Sequence, residues 1–231
     1  MHIAIDLKRF ENLPPLQYGA HFKNEVNMCV MEAVAYVTHK EWSDHPPCVC
    51  PVIGAFMRAW NDGLPDDESR TRLLKPLIPK LINTRGSKKL EQRRATMATD
   101  WLVREHAVAW LRLARLDAAA DAIASLPEIT DFANRPPLKL ALEAARKDAA
   151  AARAGAWGAA RTAAWDVAGA AARAATGDAA RDVVGDVATD VARDVATDAA
   201  WAAAKKRLQP TQALLQKSAL SLVSRMIAAT D

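Results

Sequence analysis

Apolar residues recur at three- and four-residue steps along most of this chain, the spacing of a buried helix face. The exception at the start is Ile3-Ala4-Ile5-Asp6-Leu7, a short apolar run that suits one strand, followed by a proline-rich loop from Leu13 to Tyr18. Met28 to Thr38 is apolar on nearly every side, which predicts a helix buried all round, with Asn27 placed to cap it and Glu32 its single charge. The three prolines between Trp42 and Pro51 exclude regular helix there. Val52, Ile53, Phe56, Met57 and Trp60 then mark an amphipathic helix that Asn61-Asp62-Gly63-Leu64-Pro65 ends. Asp66 is placed to cap the next helix, whose apolar face (Leu73, Leu74, Leu77, Ile78, Leu81, Ile82) is broken at Pro76 and Pro79. Ser87 is an N-cap for a longer helix from about Lys88 to Leu116, with Leu90, Met97, Trp101, Leu102, Ala109, Leu113 and Leu116 as its core positions. A short helix over Ala118–Leu126 comes next, stopped by Pro127.

From Ala163 to Lys206 the pattern changes to a four-residue repeat of two small apolar residues, a variable one and, most often, aspartate. Alanine at that density favours helix. Four residues advance an α-helix by about 400°, so the Asp178, Asp182, Asp186, Asp190, Asp194, Asp198 row drifts by about 40° per repeat, and Val183, Val187, Val191 and Val195 drift with it. A straight heptad coiled coil is therefore a poor match, and close packing of alanine faces a better one. The repeat reads either as one rod or as two arms folded near Thr176-Gly177-Asp178. Pro210 is expected to break it, before an amphipathic helix carrying Leu214, Leu215, Ala219, Leu222, Val223 and Met226. The fold class is all-α. Its parts are a compact helical domain over 1–130, a linker at 131–137, the alanine-rich helical segment at 138–209 and a final helix over 210–231.

Composition narrows the functional classes. Among 231 residues no apolar run approaches the roughly 18 that a membrane span needs, and Met1–Phe10 lacks the apolar core of a signal peptide. Three cysteines are an odd count for a disulfide framework, which points to reducing cytoplasm. The net charge of +4 is slight, but it is concentrated. Arg70, Arg72, Lys75, Lys80, Arg85, Lys88, Lys89, Arg93 and Arg94 face a single acid, Glu91, in the window 70–94.

Two groups of residues carry candidate chemistry. Arg85-Gly86-Ser87-Lys88-Lys89 is a glycine turn into a helix start, where free N–H groups, the helix dipole and cations suit a phosphate or other anion. It lacks the spacing of a nucleotide-binding P-loop, and a solvated helix start is the preferred reading. Cys29, Glu32, His45, Cys48 and Cys50 are zinc-ligand types, yet Cys48-Val49-Cys50 has one intervening residue where zinc sites use two or more. Packed thiols are the preferred reading, and neither a metal nor another cofactor is implied. A zinc-deaminase reading fails on both of its spacings. A thiol enzyme with Cys29 as nucleophile and His45 as base stays open.

Met28-Cys29-Val30-Met31-Glu32-Ala33-Val34-Ala35-Tyr36-Val37, then Trp42-Ser43-Asp44-His45-Pro46 with Cys48 and Pro51-Val52-Ile53, resembles a family of uncharacterised actinobacterial and actinobacteriophage proteins. The segments Thr99–Val103 and Ser221–Ile227 and the alanine repeat are similar too. The resemblance implies a phage-type accessory factor, a small binder of a host protein or of an immune signal. Three functional classes stand as expectations. One is a non-enzymatic interaction protein that forms homo-oligomers through its alanine-rich helices. The second is a binder of a small nucleotide, or less aptly of nucleic acid, through 70–94. The third is a cysteine or zinc enzyme. None involves a membrane. Trp157, Trp165 and Trp201 are candidate interface anchors within the alanine run.

Overall fold

A computed structural model describes residues 3–23, 26–131 and 185–231 together with positions 144 and 147; for 185–205 it describes the helical backbone alone. The protein is all-α, and the described residues contain no strand. The expected strand at 3–7 is replaced by an extended entry into a helix. Asp6 accepts the amide of Arg9 at 3.0 Å and so starts α1, Leu7–Glu11. The extended part pairs with a side chain instead of a second strand. Ile3 N donates to Asn83 Oδ1 and Asn83 Nδ2 donates to Ile3 O, both at 2.9 Å. Asn83 sits at φ 64°, a left-handed position that asparagine tolerates better than most residues.

Helix α2, Val30–Val37, is buried all round, as its composition demands. Its cap is Cys29 and not Asn27, because Glu32, three positions on, reaches back to accept the Cys29 amide at 2.8 Å. Helix α3, Pro51–Gly63, begins on a proline, where no amide is required. Asp66 caps α4, Asp67–Leu74, by accepting from Ser69 N at 2.7 Å. Pro76 and Pro79 then divide the chain into a tight turn over Lys75–Leu77 and a single-turn α5, Ile78–Leu81. Helix α2 packs on α1, α3 and α5. Leu16, Met28, Met31, Ile53, Met57, Leu74, Ile78 and Leu81 fill the space between them.

Ser87 caps α6, Lys88–Asp100, by accepting from Leu90 N at 3.1 Å. The continuous helix expected to Leu116 is interrupted. Trp101–Ala107 winds as a π-helix before α7, Val108–Leu113. An i→i+5 bond adds a residue to the turn and rotates the facing of every later position. Trp101 and Val103 are buried while Leu102, expected in the core between them, is 53% exposed. Trp101 stacks edge-on against Phe56 at 5.4 Å. Helix α8, Asp117–Ala124, packs on α7 through Ala120 and Ile123, with Arg112 bridging to Asp121 at 2.7 Å.

Helix α9 runs from Gly185 to Ala228, 44 residues and about 66 Å. The expected break at Pro210 does not occur. Proline removes one backbone hydrogen bond to the preceding turn, but Lys206 and Pro210 are both exposed, so water can satisfy the carbonyl that is freed. The chain forms two compact units. One comprises Met1–Trp101, Glu128–Ala133 and Ala219–Asp231, and the other Leu102–Pro127 and Asn134–Ser218. The last turns of α9 belong to the first unit, where Leu222, Val223 and Met226 are fully buried. The linker at 131–137 and the alanine run from 138 to 184, including Trp157, Trp165 and the turn at Thr176-Gly177-Asp178, lie outside the described residues but for Asp131 and positions 144 and 147. So do the side chains of Val187, Val191, Val195 and Trp201.

Candidate functional site

Of the candidate ligand residues, Glu32 is only 1% exposed and lies beside Cys29. Its carboxylate accepts three hydrogen bonds: from Cys29 N at 2.8 Å, from His21 N at 2.6 Å and from His21 Nδ1 at 2.9 Å. His21 thus stands where sequence reasoning placed His45. His45 is instead an exposed ring bonded to its neighbour Asp44 at 2.6 Å. Burial pushes the Cys29 thiol up to about 12, with the nearby Glu32 charge acting in the same direction. A thiol whose ionisation is pushed up is the opposite of an activated nucleophile. Burial also raises Cys48. Cys50 is buried at the start of α3, with its amide donated to Thr84 Oγ1 at 3.1 Å. Among the described residues no three His, Cys, Asp or Glu side chains are placed to hold a metal ion.

What the Glu32 cluster does accomplish is to pin a loop. Gln17 N donates to Met28 O at 2.9 Å and closes the loop's neck. Gly19 N reaches Asp62 Oδ1, and Trp42 Nε1 reaches His21 O at 2.8 Å. The buried Asn61 ties the same neck to α2, accepting from Val30 N and donating to Gln17 O. On the loop's outer side Tyr18 and Val26 are exposed, and Phe22 is 95% exposed. The sequence marked Glu32 as unusual. It carried no sign of His21, whose partner lies eleven residues away across a loop.

The basic window is mostly engaged with the protein itself. Arg70 is buried and donates to Asn61 O at 2.8 Å and Leu64 O at 3.0 Å, closing the end of α3. Arg94 is buried as well. It donates to Met226 O at 2.7 Å, Thr84 O at 2.6 Å and Ala229 O at 3.4 Å, which clamps the end of α9. Arg9 does the same for α2 through Tyr36 O at 2.9 Å. Guanidinium forks suit this task because a helix end offers several free carbonyls and a negative dipole.

At the α6 start, Arg85 and Lys88 both pair with Glu91, at 3.5 and 3.1 Å. Ser87 Oγ donates to the Asp231 carboxylate while accepting from Leu90 N. Arg93 donates to Thr230 O at 2.9 Å. Lys89, with Arg72 and Lys80, is exposed. Of the candidate anion-binding residues, Ser87 is thus paired with Asp231, and Arg85 and Lys88 with Glu91. No buried side-chain nitrogen or oxygen among the described residues lacks a partner.

Helix α9 is the other feature with a chemical pattern. From Lys206 to Leu214 nearly every residue is exposed, and Leu214 is 62% exposed. No helix among the described residues is long and apolar enough to cross a membrane. No family model, no curated protein and no solved structure matches the chain.

Proposed function

We propose that this is a non-enzymatic interaction protein that self-associates through its alanine-rich helix. The observation that supports it is α9 itself. Its final turns bury one face, Ala219, Leu222, Val223 and Met226, whereas the stretch Lys206–Leu214 is exposed on almost every position. An alanine-rich helix of about 66 Å draws little stability from its own side chains, so a partner helix would add most of the missing contact. Covering Leu214 alone would contribute about 1–2 kcal/mol per copy. The polar groups that would serve an enzyme are committed to backbone instead: Glu32 to a cap and a loop, Arg70 and Arg94 to helix ends. Phe22 on its pinned loop supplies a second exposed anchor, suited to a host protein as partner. The phage-type accessory role rests on the sequence resemblance, and the cytoplasmic setting on three unpaired cysteines.

Light scattering of the full chain tests the reading. A dimer or higher oligomer is expected at high concentration, reduced when residues 163–204 are deleted. A chain that stays monomeric at every concentration would sink the proposal.

A further inference from the structure

Resting on that reading, we infer that the partner of α9 is a second copy of α9 running antiparallel to it, crossing near Ala199. The inference comes from how charge is placed along one continuous helix. Between Gly185 and Ala204 lie Asp186, Asp190, Asp194 and Asp198 against the single base Arg193, a net charge of −3. Between Lys205 and Ala228 lie Lys205, Lys206, Arg207, Lys217 and Arg225 with no acid, a net charge of +5. Two parallel copies in register would set acid against acid and base against base. Two antiparallel copies centred near Ala199 bring the Asp190–Asp194 stretch of each opposite Lys205–Arg207 of the other.

The simpler account of such a gradient is compensation of the helix's own dipole. That effect acts within the first and last turns. Lys205–Arg207 lie about six turns from the end at Ala228, too far for the dipole to explain them. Lys206 and Arg207 are also exposed, so the protein's own fold does not use them up. The centre of the crossing, Ala199-Ala200-Trp201-Ala202-Ala203-Ala204, is rich in the small residue that permits close helix approach. The four-residue repeat fits as well, since its acidic position never extends past Asp198 into the basic half.

The test uses the full chain with one added cysteine at a time, Ala192→Cys or Lys206→Cys, with the parent chain setting the background from its three buried thiols. The two variants are mixed, each with a different affinity tag, and oxidised gently. Antiparallel pairing predicts a mixed 192–206 cross-link that forms faster than either variant's cross-link to itself. Self-cross-linking of each variant alone would show parallel pairing and overturn this inference while leaving self-association standing. A dimer with no cross-link at either site would overturn it in the same way. A parent chain monomeric by light scattering would remove the underlying reading too. Independently, Lys205→Glu/Lys206→Glu/Arg207→Glu should weaken association by about tenfold or more, with helix content unchanged, and salt should weaken the parent. An unaltered dimer in that variant would likewise overturn the inference.

Discussion

Replacing Arg94 by methionine keeps most of the aliphatic stem and removes the guanidinium that clamps α9. Three carbonyls lose their donor, two of them at 2.6 and 2.7 Å and one at 3.4 Å. A hydrogen bond from a charged donor is worth about 1.5–3 kcal/mol, and a buried acceptor left without one costs about 1–3 kcal/mol. The long third bond adds little, and the carbonyl of Ala229, near the surface, regains water. The arginine's own desolvation, which its removal relieves, lowers the sum. A net loss of about 3–4 kcal/mol remains. That is a large part of the 5–15 kcal/mol typical of a domain. With a urea dependence of about 1–3 kcal/mol per molar, the unfolding midpoint should fall by about 1–4 M. Urea titration followed by circular dichroism and tryptophan fluorescence measures it. Arg94→Lys should recover less than half, because an ammonium cannot span carbonyls on two segments. A methionine variant within about 0.5 kcal/mol of the parent would refute the clamp.

Glu32→Gln should destabilise by about 2–4 kcal/mol in the same assay, since an amide nitrogen would face donors that now meet a carboxylate; a neutral effect would show that the His21 loop is not held there. In the native state a thiol reagent at pH 8 should find no fast-reacting cysteine, and all three should react once the chain is unfolded; one fast thiol per native chain would contradict the burial of Cys29, Cys48 and Cys50. The Cys29 thiol, raised from 9.0 to about 12, contributes stability that is fully present below pH 9 and lost as the pH climbs from 9 toward 12, so Cys29→Ala should flatten the alkaline limb of a stability profile. Asp6 and Asp66 are held below the usual carboxylate value chiefly by the amides of Arg9 and Ser69 that they cap, so their contribution is present above about pH 4 and lost as the pH falls below it; the double alanine variant should show a shallower acid limb. Elemental analysis of the purified chain should find well under one zinc per molecule.

Much of the architecture was legible in the chain because it depends on local rules. Asp66 and Ser87 cap helices where their position before an apolar-periodic run said they would. The all-round apolar run Met28–Val37 is a buried helix, and the prolines at 76 and 79 divide the helix they interrupt. What failed did so where a distant group took over. The run Ile3–Leu7 has a strand's composition, but its backbone is answered by the side chain of Asn83, so no strand forms. Asn27 lost the cap of α2 to Cys29 because Glu32 turns back to hold that amide. Pro210 has the chemistry of a helix breaker, yet the helix passes through it where the lost bond faces water.

Residue types and spacing sufficed to decide that the chain is helical and where helices such as those capped by Asp66 and Ser87 start, because each depends on neighbours within a few positions. The roles of the basic residues and of Glu32 were decided only by the tertiary structure. An arginine reads the same in sequence whether it awaits a phosphate or closes a helix end. The difference for Arg94 is made by carbonyls at Met226 and Ala229, more than 130 residues away, which only folding brings within reach.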